Sequence, residues 1–91
     1  MKFDFEWDDE VIRHIERHGI SRSDIDEMFL NRFYWRLHAG GLFIVGRSSD
    51  RIITLFLSKG LTKEGKWRVA TARRANEWEK RLLWRRGKGF R

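Results

Sequence analysis

Hydrophobic and polar positions change their period several times along this chain, and each change marks an element. Phe3, Phe5 and Trp7 alternate with Asp4 and Glu6, a period of two that predicts a short edge strand with one face buried and a charged face in water. Asp8 or Asp9 then stands where a helix is capped, Val11, Ile12 and Ile15 supply its apolar side, and Gly19 falls at the left-handed position that ends helices, so a first helix is expected over residues 9–18. Ser21 repeats the capping signal with Asp24 at the third helical position. Ile20 is placed to staple against Ile25, and Ile25, Met28 and Phe29 form the stripe of a second helix of about nine residues.

From Arg32 the period returns to two. Phe33, Trp35 and Leu37 alternate with Tyr34, Arg36 and His38 up to the turn signal Ala39-Gly40-Gly41. Leu42 to Arg47 and Arg51 to Ser58 predict two further strands, joined by the polar link Ser48-Ser49-Asp50 and apolar enough to lie centrally in a sheet. A flexible basic loop is expected over Lys59 to Gly65, followed by a strand over Lys66 to Ala72. From Arg73 the spacing becomes helical, with Ala75, Trp78, Leu82 and Arg86 on one side and Arg74, Arg81 and Arg85 on others, before a frayed tail at 87–91. The order predicts a single α+β domain over residues 1–91: an antiparallel sheet with two N-terminal helices and a C-terminal helix packed on one of its faces.

Ninety-one residues leave no room for a second core, and a chain of this size buries only about 60–65% of its unfolded surface. Five Trp and seven Phe supply the core material that a disordered chain lacks. The formal charge of +7 is unevenly placed: residues 1–31 hold four basic and nine acidic side chains, residues 32–91 sixteen and four. That asymmetry points to a nucleic acid, an anionic membrane or an acidic protein as partner, and its strength depends on whether the acidic third lies over the basic remainder. The longest apolar runs, Leu42 to Val45 and Ile52 to Phe56, are far short of the roughly 20 residues of a membrane helix, so no membrane partner is expected. Acidic residues interrupt the N-terminal segment, which predicts that the chain is not exported.

The absence of cysteine excludes disulfides, thiolate metal sites and a cysteine nucleophile. His14 and His18 are four apart, but Ile15 rather than Glu follows His14 and no third ligand cluster accompanies them, so no metal is expected. There is no Gly-rich phosphate loop or nucleophile elbow. What remains is Arg47, Arg68, Arg73 and Arg74 at strand ends and a helix start, with His18 and Glu79. Cleaving RNA by attack of its own 2′-hydroxyl needs a base, an acid and cations around the phosphorane, and His, Glu and Arg can divide those roles without a cofactor. Solvated helix faces and loop-solubilising arginines account equally for several of these positions.

Four ordered pieces carry a resemblance to the BrnT family of toxins, small ribonucleases similar in fold to RelE. They are Phe5-Glu6-Trp7-Asp8, Arg17-His18-Gly19-Ile20-Ser21, Ile44-Val45-Gly46-Arg47-Ser48, and Arg68-Val69-Ala70-Thr71-Ala72-Arg73-Arg74-Ala75 followed by Glu79. The resemblance runs from about Phe5 to Leu83. It implies a RelE-like fold and a cytoplasmic, metal-independent endoribonuclease that inhibits translation, with RNA as substrate. It also implies neutralisation by a BrnA-like antitoxin through which the pair reaches operator DNA. The positions carried over as catalytic are His18, Arg47, Arg68, Arg73 and Glu79, with Arg47, Arg68 and Arg73 clamping the scissile phosphate and His18 or Glu79 moving protons. Lys66, Arg74, Arg81 and Arg85 are expected to hold flanking RNA. The chain departs from the family at Met28 to Arg32, which lacks the usual Asp-Pro, and at Leu83-Trp84, where a Tyr is expected. A catalytically weak RNA-binding or regulatory module that binds an antitoxin-like partner is therefore the alternative expectation.

Overall fold

A computed structural model, which describes residues 4–61 and 65–87, resolves the changes of period into five strands and three helices. Strand β1 (Phe5–Glu6) leads into α1 (Asp9–Arg17) and α2 (Arg22–Met28). Strands β2 (Phe33–His38), β3 (Gly41–Ser48), β4 (Arg51–Leu61) and β5 (Trp67–Arg74) follow, then α3 (Glu77–Arg86). The Asp8 carboxylate accepts the Glu10 and Val11 N–H groups at the start of α1. Gly19 turns the chain out of that helix at φ +75°, a conformation without penalty for glycine. Ser21 and Asp24 form a reciprocal capping box on α2.

Most boundaries lie within a residue or two of the sequence expectation, and three differences bear on the region around β5 and α3. β4 continues to Leu61, so the loop expected from Lys59 is strand for its first three residues, and the rest of that loop up to Glu64 lies outside the described residues, as does the tail beyond Gly87. β5 runs on to Arg74, and α3 begins at Glu77 rather than at Arg73. The ladder explains the last difference. Arg73 pairs with Thr54, Arg74 with Ile53, and the Ala75 N–H still donates to the Ile52 carbonyl, so the helix can start only after Asn76, which caps it.

The sheet order is β1-β5-β4-β3-β2. β2 to β5 form an antiparallel meander, but β1 pairs in parallel with β5, so the sheet is mixed rather than antiparallel throughout. The chain crosses from one edge of the sheet to the other through α1 and α2 and then returns strand by strand, which ends β5 alongside β1. Ala39 and Gly40 both take positive φ in the two-residue turn between β2 and β3, as a tight hairpin of the right twist requires.

Alternation along β3 assigns the two faces. Leu42 and Ile44 pack with Ile15, Ile20, Ile25 and Met28 of the α1–α2 segment, whereas Phe43 and Val45 pack with Leu83 of α3. The helices therefore cover opposite faces, not one face as the sequence suggested. Each fully buried aliphatic side chain in the larger core contributes roughly 1.5–3 kcal/mol relative to exposure. Gly46 sets how closely α2 approaches: a Cβ there would lie 3.1 Å from the Met28 Cβ. On α3 the buried positions are Glu79 and Leu83, while Trp78, expected on the apolar side, is 47% exposed. No described helix is long and apolar enough to cross a membrane.

Asp24 fastens α2 to the β3–β4 hairpin. Its carboxylate accepts the Ser48 hydroxyl at 2.8 Å and the Arg51 guanidinium at 2.8 Å, and Arg51 also donates to the Gly19 carbonyl. Burial pushes this carboxyl up, but the Ser21 N–H, the Ser48 hydroxyl, Arg51 and the Ser21 hydroxyl outweigh it and hold the pKa at about 2 against an ordinary 3.8. A folded-state pKa below the unfolded one stabilises the fold above the unfolded value and is lost as pH falls through the folded one. Acidification from about pH 4 to 2 should therefore remove about 1–2 kcal/mol through this residue, allowing for solvent screening. Urea unfolding of Asp24→Asn should show a flatter loss of stability across that window than the wild type; an equal slope would contradict the assignment.

Candidate nucleic-acid interface

Helix α3 lies along the sheet as a ridge, and a basic groove runs down each flank. The flank carrying Glu77, Lys80 and Trp84 faces the β3–β4 hairpin and encloses a groove of about 820 Å³, lined also by Asn31, Arg32, Arg47, Asp50, Arg51 and Arg74. The flank carrying Trp78, Arg81 and Arg85 faces β2 and borders a second groove of about 420 Å³ with Tyr34, Arg36, Leu82 and Arg86. Spacings of three and four residues along α3 place each set on its own side of the helix.

Five cations line the larger groove against two carboxylates, and their commitments differ. Arg51 is held by Asp24. Arg32 donates to the Trp84 and Gly87 carbonyls and so closes the C-terminal end of α3. Lys80 makes a long 3.4 Å contact with Glu77. The Arg47 Nε donates to the Ser49 carbonyl, which orients the exposed guanidinium without neutralising it. Arg74 is exposed and its side chain has no partner among the described residues. Asn31 donates to the Arg47 carbonyl, and the Glu27 carboxylate takes the Ser49 N–H at 2.6 Å, so the end of α2 ties down the hairpin that presents Arg47 at two points.

The residues expected at the site fall into separate places. Arg47 and Arg74 share the larger groove, and Arg81 and Arg85 the smaller. Arg73 and Glu79 are joined to each other at the junction between β5 and α3. Arg68 and Lys66 lie at the opposite end of β5, where Arg68 contacts Glu6 at 3.4 Å. Six residues of strand, roughly 20 Å, separate Arg68 from Arg74, so the fold does not gather Arg47, Arg68 and Arg73 into one clamp. His18 is exposed at the end of α1 and does not line the groove, although Gly19 beside it binds Arg51, which does. His14 accompanies His18 with ring centroids 5.2 Å apart and its Nε2 is 3.0 Å from the Thr71 hydroxyl. No group of three or more His, Asp or Glu suited to a metal ion occurs among the described residues.

Glu79 is fully buried, and every contact it makes is structural. Its oxygens accept from the two terminal nitrogens of Arg73 at 2.7 and 2.8 Å and from the Asn76 N–H at 2.9 Å, while the Asn76 side chain caps the Glu79 N–H in return. Burial pushes its carboxyl up, but Arg73 and the Asn76 N–H outweigh it and hold it below the ordinary carboxylate range. The same pair raises the Arg73 pKa, and the Arg73 guanidinium also lies 5.6 Å from the centre of the Phe56 ring. Together Arg73 and Glu79 join the end of β5 to the first turn of α3.

Sequence reasoning missed Arg32, Arg51 and Lys80 in the larger groove and Arg36 and Trp78 in the smaller. The alternation that pairs Arg36 with Phe43 and the three- and four-residue spacing on α3 were the available signals. Compared with models of protein families, with curated proteins and with solved structures, the chain matches none.

Removing the charge from Glu79 should leave Arg73 unpaired beneath the helix start. Glu79→Gln is expected to lower stability by about 2–4 kcal/mol, whereas Arg74→Ala should stay within about 0.5 kcal/mol of wild type. Denaturant unfolding of both variants checks this; equal stabilities would mean that the buried pair does not hold the junction.

Proposed function

We propose that the protein is a metal-independent endoribonuclease of the BrnT toxin kind, holding RNA in the groove between the β3–β4 hairpin and α3. The observation that carries the reading is the convergence there of Arg47 and Arg74, from different strands, with exposed guanidinium groups that no carboxylate among the described residues pairs. The resemblance carried by the four sequence pieces supplies the reaction class. Arg47 and Arg74 bind the scissile phosphate and stabilise the negative charge of the phosphorane. In the step itself the 2′-oxygen attacks phosphorus as a base takes its proton. The 5′-oxygen leaves with a proton from an acid, and the products are a 2′,3′-cyclic phosphate and a 5′-hydroxyl. Among the residues carried over, His18 remains for proton transfer, since Glu79 is sequestered. Inhibition of translation, a cytoplasmic setting, neutralisation by a BrnA-like antitoxin and indirect contact with operator DNA belong to the same proposal.

A second reading is favoured by two observations: Glu79 is fully buried, and His18 lies outside the groove lining. On that reading the groove binds RNA without turnover. Incubating purified protein with a generic RNA in EDTA separates the two. Cleavage that falls about 100–1,000-fold in Arg47→Ala or Arg74→Ala is expected for the nuclease. Cleavage unaffected by both variants would overturn the site. Salt-sensitive RNA retention without products would establish the binding module instead.

A further inference from the structure

The smaller groove, between α3 and β2, differs from the larger in kind. Four arginines border it, Arg36, Arg81, Arg85 and Arg86; all four are exposed, and none has a carboxylate partner among the described residues. No acidic side chain among the described residues lines it. Two aromatic rings do. Trp78 lies parallel to Phe43, with ring planes 2° apart and centroids at 6.0 Å, and Phe43 is itself buried, so Trp78 is braced against the sheet with about half its surface in water. Tyr34 meets Phe43 edge-on at 6.4 Å, and the Arg36 guanidinium sits 4.8 Å from the centre of Phe43 and 6.0 Å from that of Trp78.

A tryptophan fixed in orientation, half exposed and ringed by unneutralised arginines offers the two contacts that single-stranded nucleic acid uses: a π-face for an unpaired base and cations for the phosphates on either side. Arg81 and Arg85 are one turn apart on α3, about 6 Å along its axis, and so track a backbone rather than a point charge. A base inside a duplex keeps both faces covered by its neighbours and has none to give to Trp78. A carboxylate-rich protein segment would satisfy the arginines and leave the aromatic surface unused.

We propose that this groove is a base-stacking subsite for single-stranded RNA, with Trp78 taking an unpaired base and Arg36, Arg81 and Arg85 the adjacent phosphates. The proposal rests on the nucleic-acid reading above and deepens it, because α3 alone separates this subsite from the larger groove and one strand crossing the helix can occupy both.

The test is titration of the protein with a 2′-O-methylated single strand of roughly ten nucleotides, a length within the range such sites cover. Lacking a free 2′-hydroxyl, this probe reports binding whether or not the protein cleaves RNA, so failure of the nuclease reading leaves the result interpretable. Trp78→Ala should weaken binding about tenfold and Trp78→Phe should restore most of it, while inorganic polyphosphate binds both variants as it binds wild type. Arg81→Ala with Arg85→Ala should weaken both probes. Thermal melting identifies any variant with a damaged fold, and Trp78→Phe, which keeps a ring against Phe43, then carries the comparison with a Trp78→Leu variant. Equal affinity of wild type and the Trp78 variants for the single strand would overturn the proposal. So would a duplex binding as tightly as the single strand, or a poly-glutamate peptide displacing it at equal charge.

Discussion

The ion pair between the half-buried Arg73 and the fully buried Glu79 is the contact on which the α3 side of the sheet depends. A carboxylate with no exposure is tolerated inside a small fold only if its charge is met, and here two guanidinium N–H groups and a helix-capping N–H meet it at once. One side of the pair belongs to the last strand and the other to the first turn of the last helix, so the pair fixes where the strand stops and how the helix departs. Leu83 then seats against Phe43 and Val45, and Arg32 draws in the far end of α3 through the Trp84 and Gly87 carbonyls. Both grooves exist because that helix is pinned at both ends.

The second constraint is the separation of charge across the sheet. The acidic first third forms α1 and α2 on one face, while α3 with its arginines lies on the other. The sheet keeps them apart, so the N-terminal carboxylates do not cover the grooves. Where the two layers do meet, at the hairpin end, Asp24 and Glu27 are spent on Arg51 and on the Ser49 N–H, and Arg47 and Arg74 stay available. In a groove between protein walls, such unpaired cations concentrate a field that a uniformly mixed surface would cancel.

Much of the architecture was legible because it is written in local signals. The caps at Asp8, Ser21 and Gly19 and the alternation from Phe33 onward placed the first two helices and the meander close to where they lie. Two features were not local. The parallel pairing of β1 with β5 joins residues about sixty apart, and no short-range pattern encodes the edge that a two-residue strand will choose. The choice of face for α3 depends on which parity of β3 remains uncovered, since both Leu42-Ile44 and Phe43-Val45 are apolar. The site was less legible than the fold. Arg73 and Glu79 read as reactive groups because charge and spacing are visible in a sequence and burial is not. Their six-residue separation, strand then capped helix, brings them into contact with each other. Arg68 was grouped with Arg73 by its place at a strand end and by the family resemblance, but an extended strand carries residues apart as quickly as any element does.

In the proposed complex nucleic acid lies on the α3 side of the sheet. Mapping backbone amide shifts by NMR while a non-cleavable single-stranded RNA is added tests it most directly. Perturbations should concentrate along both flanks of α3, at Arg47 and Arg74, and at Tyr34 and Arg36. A footprint on α1 and α2, or at the Arg68 end of β5 with α3 silent, would contradict the account.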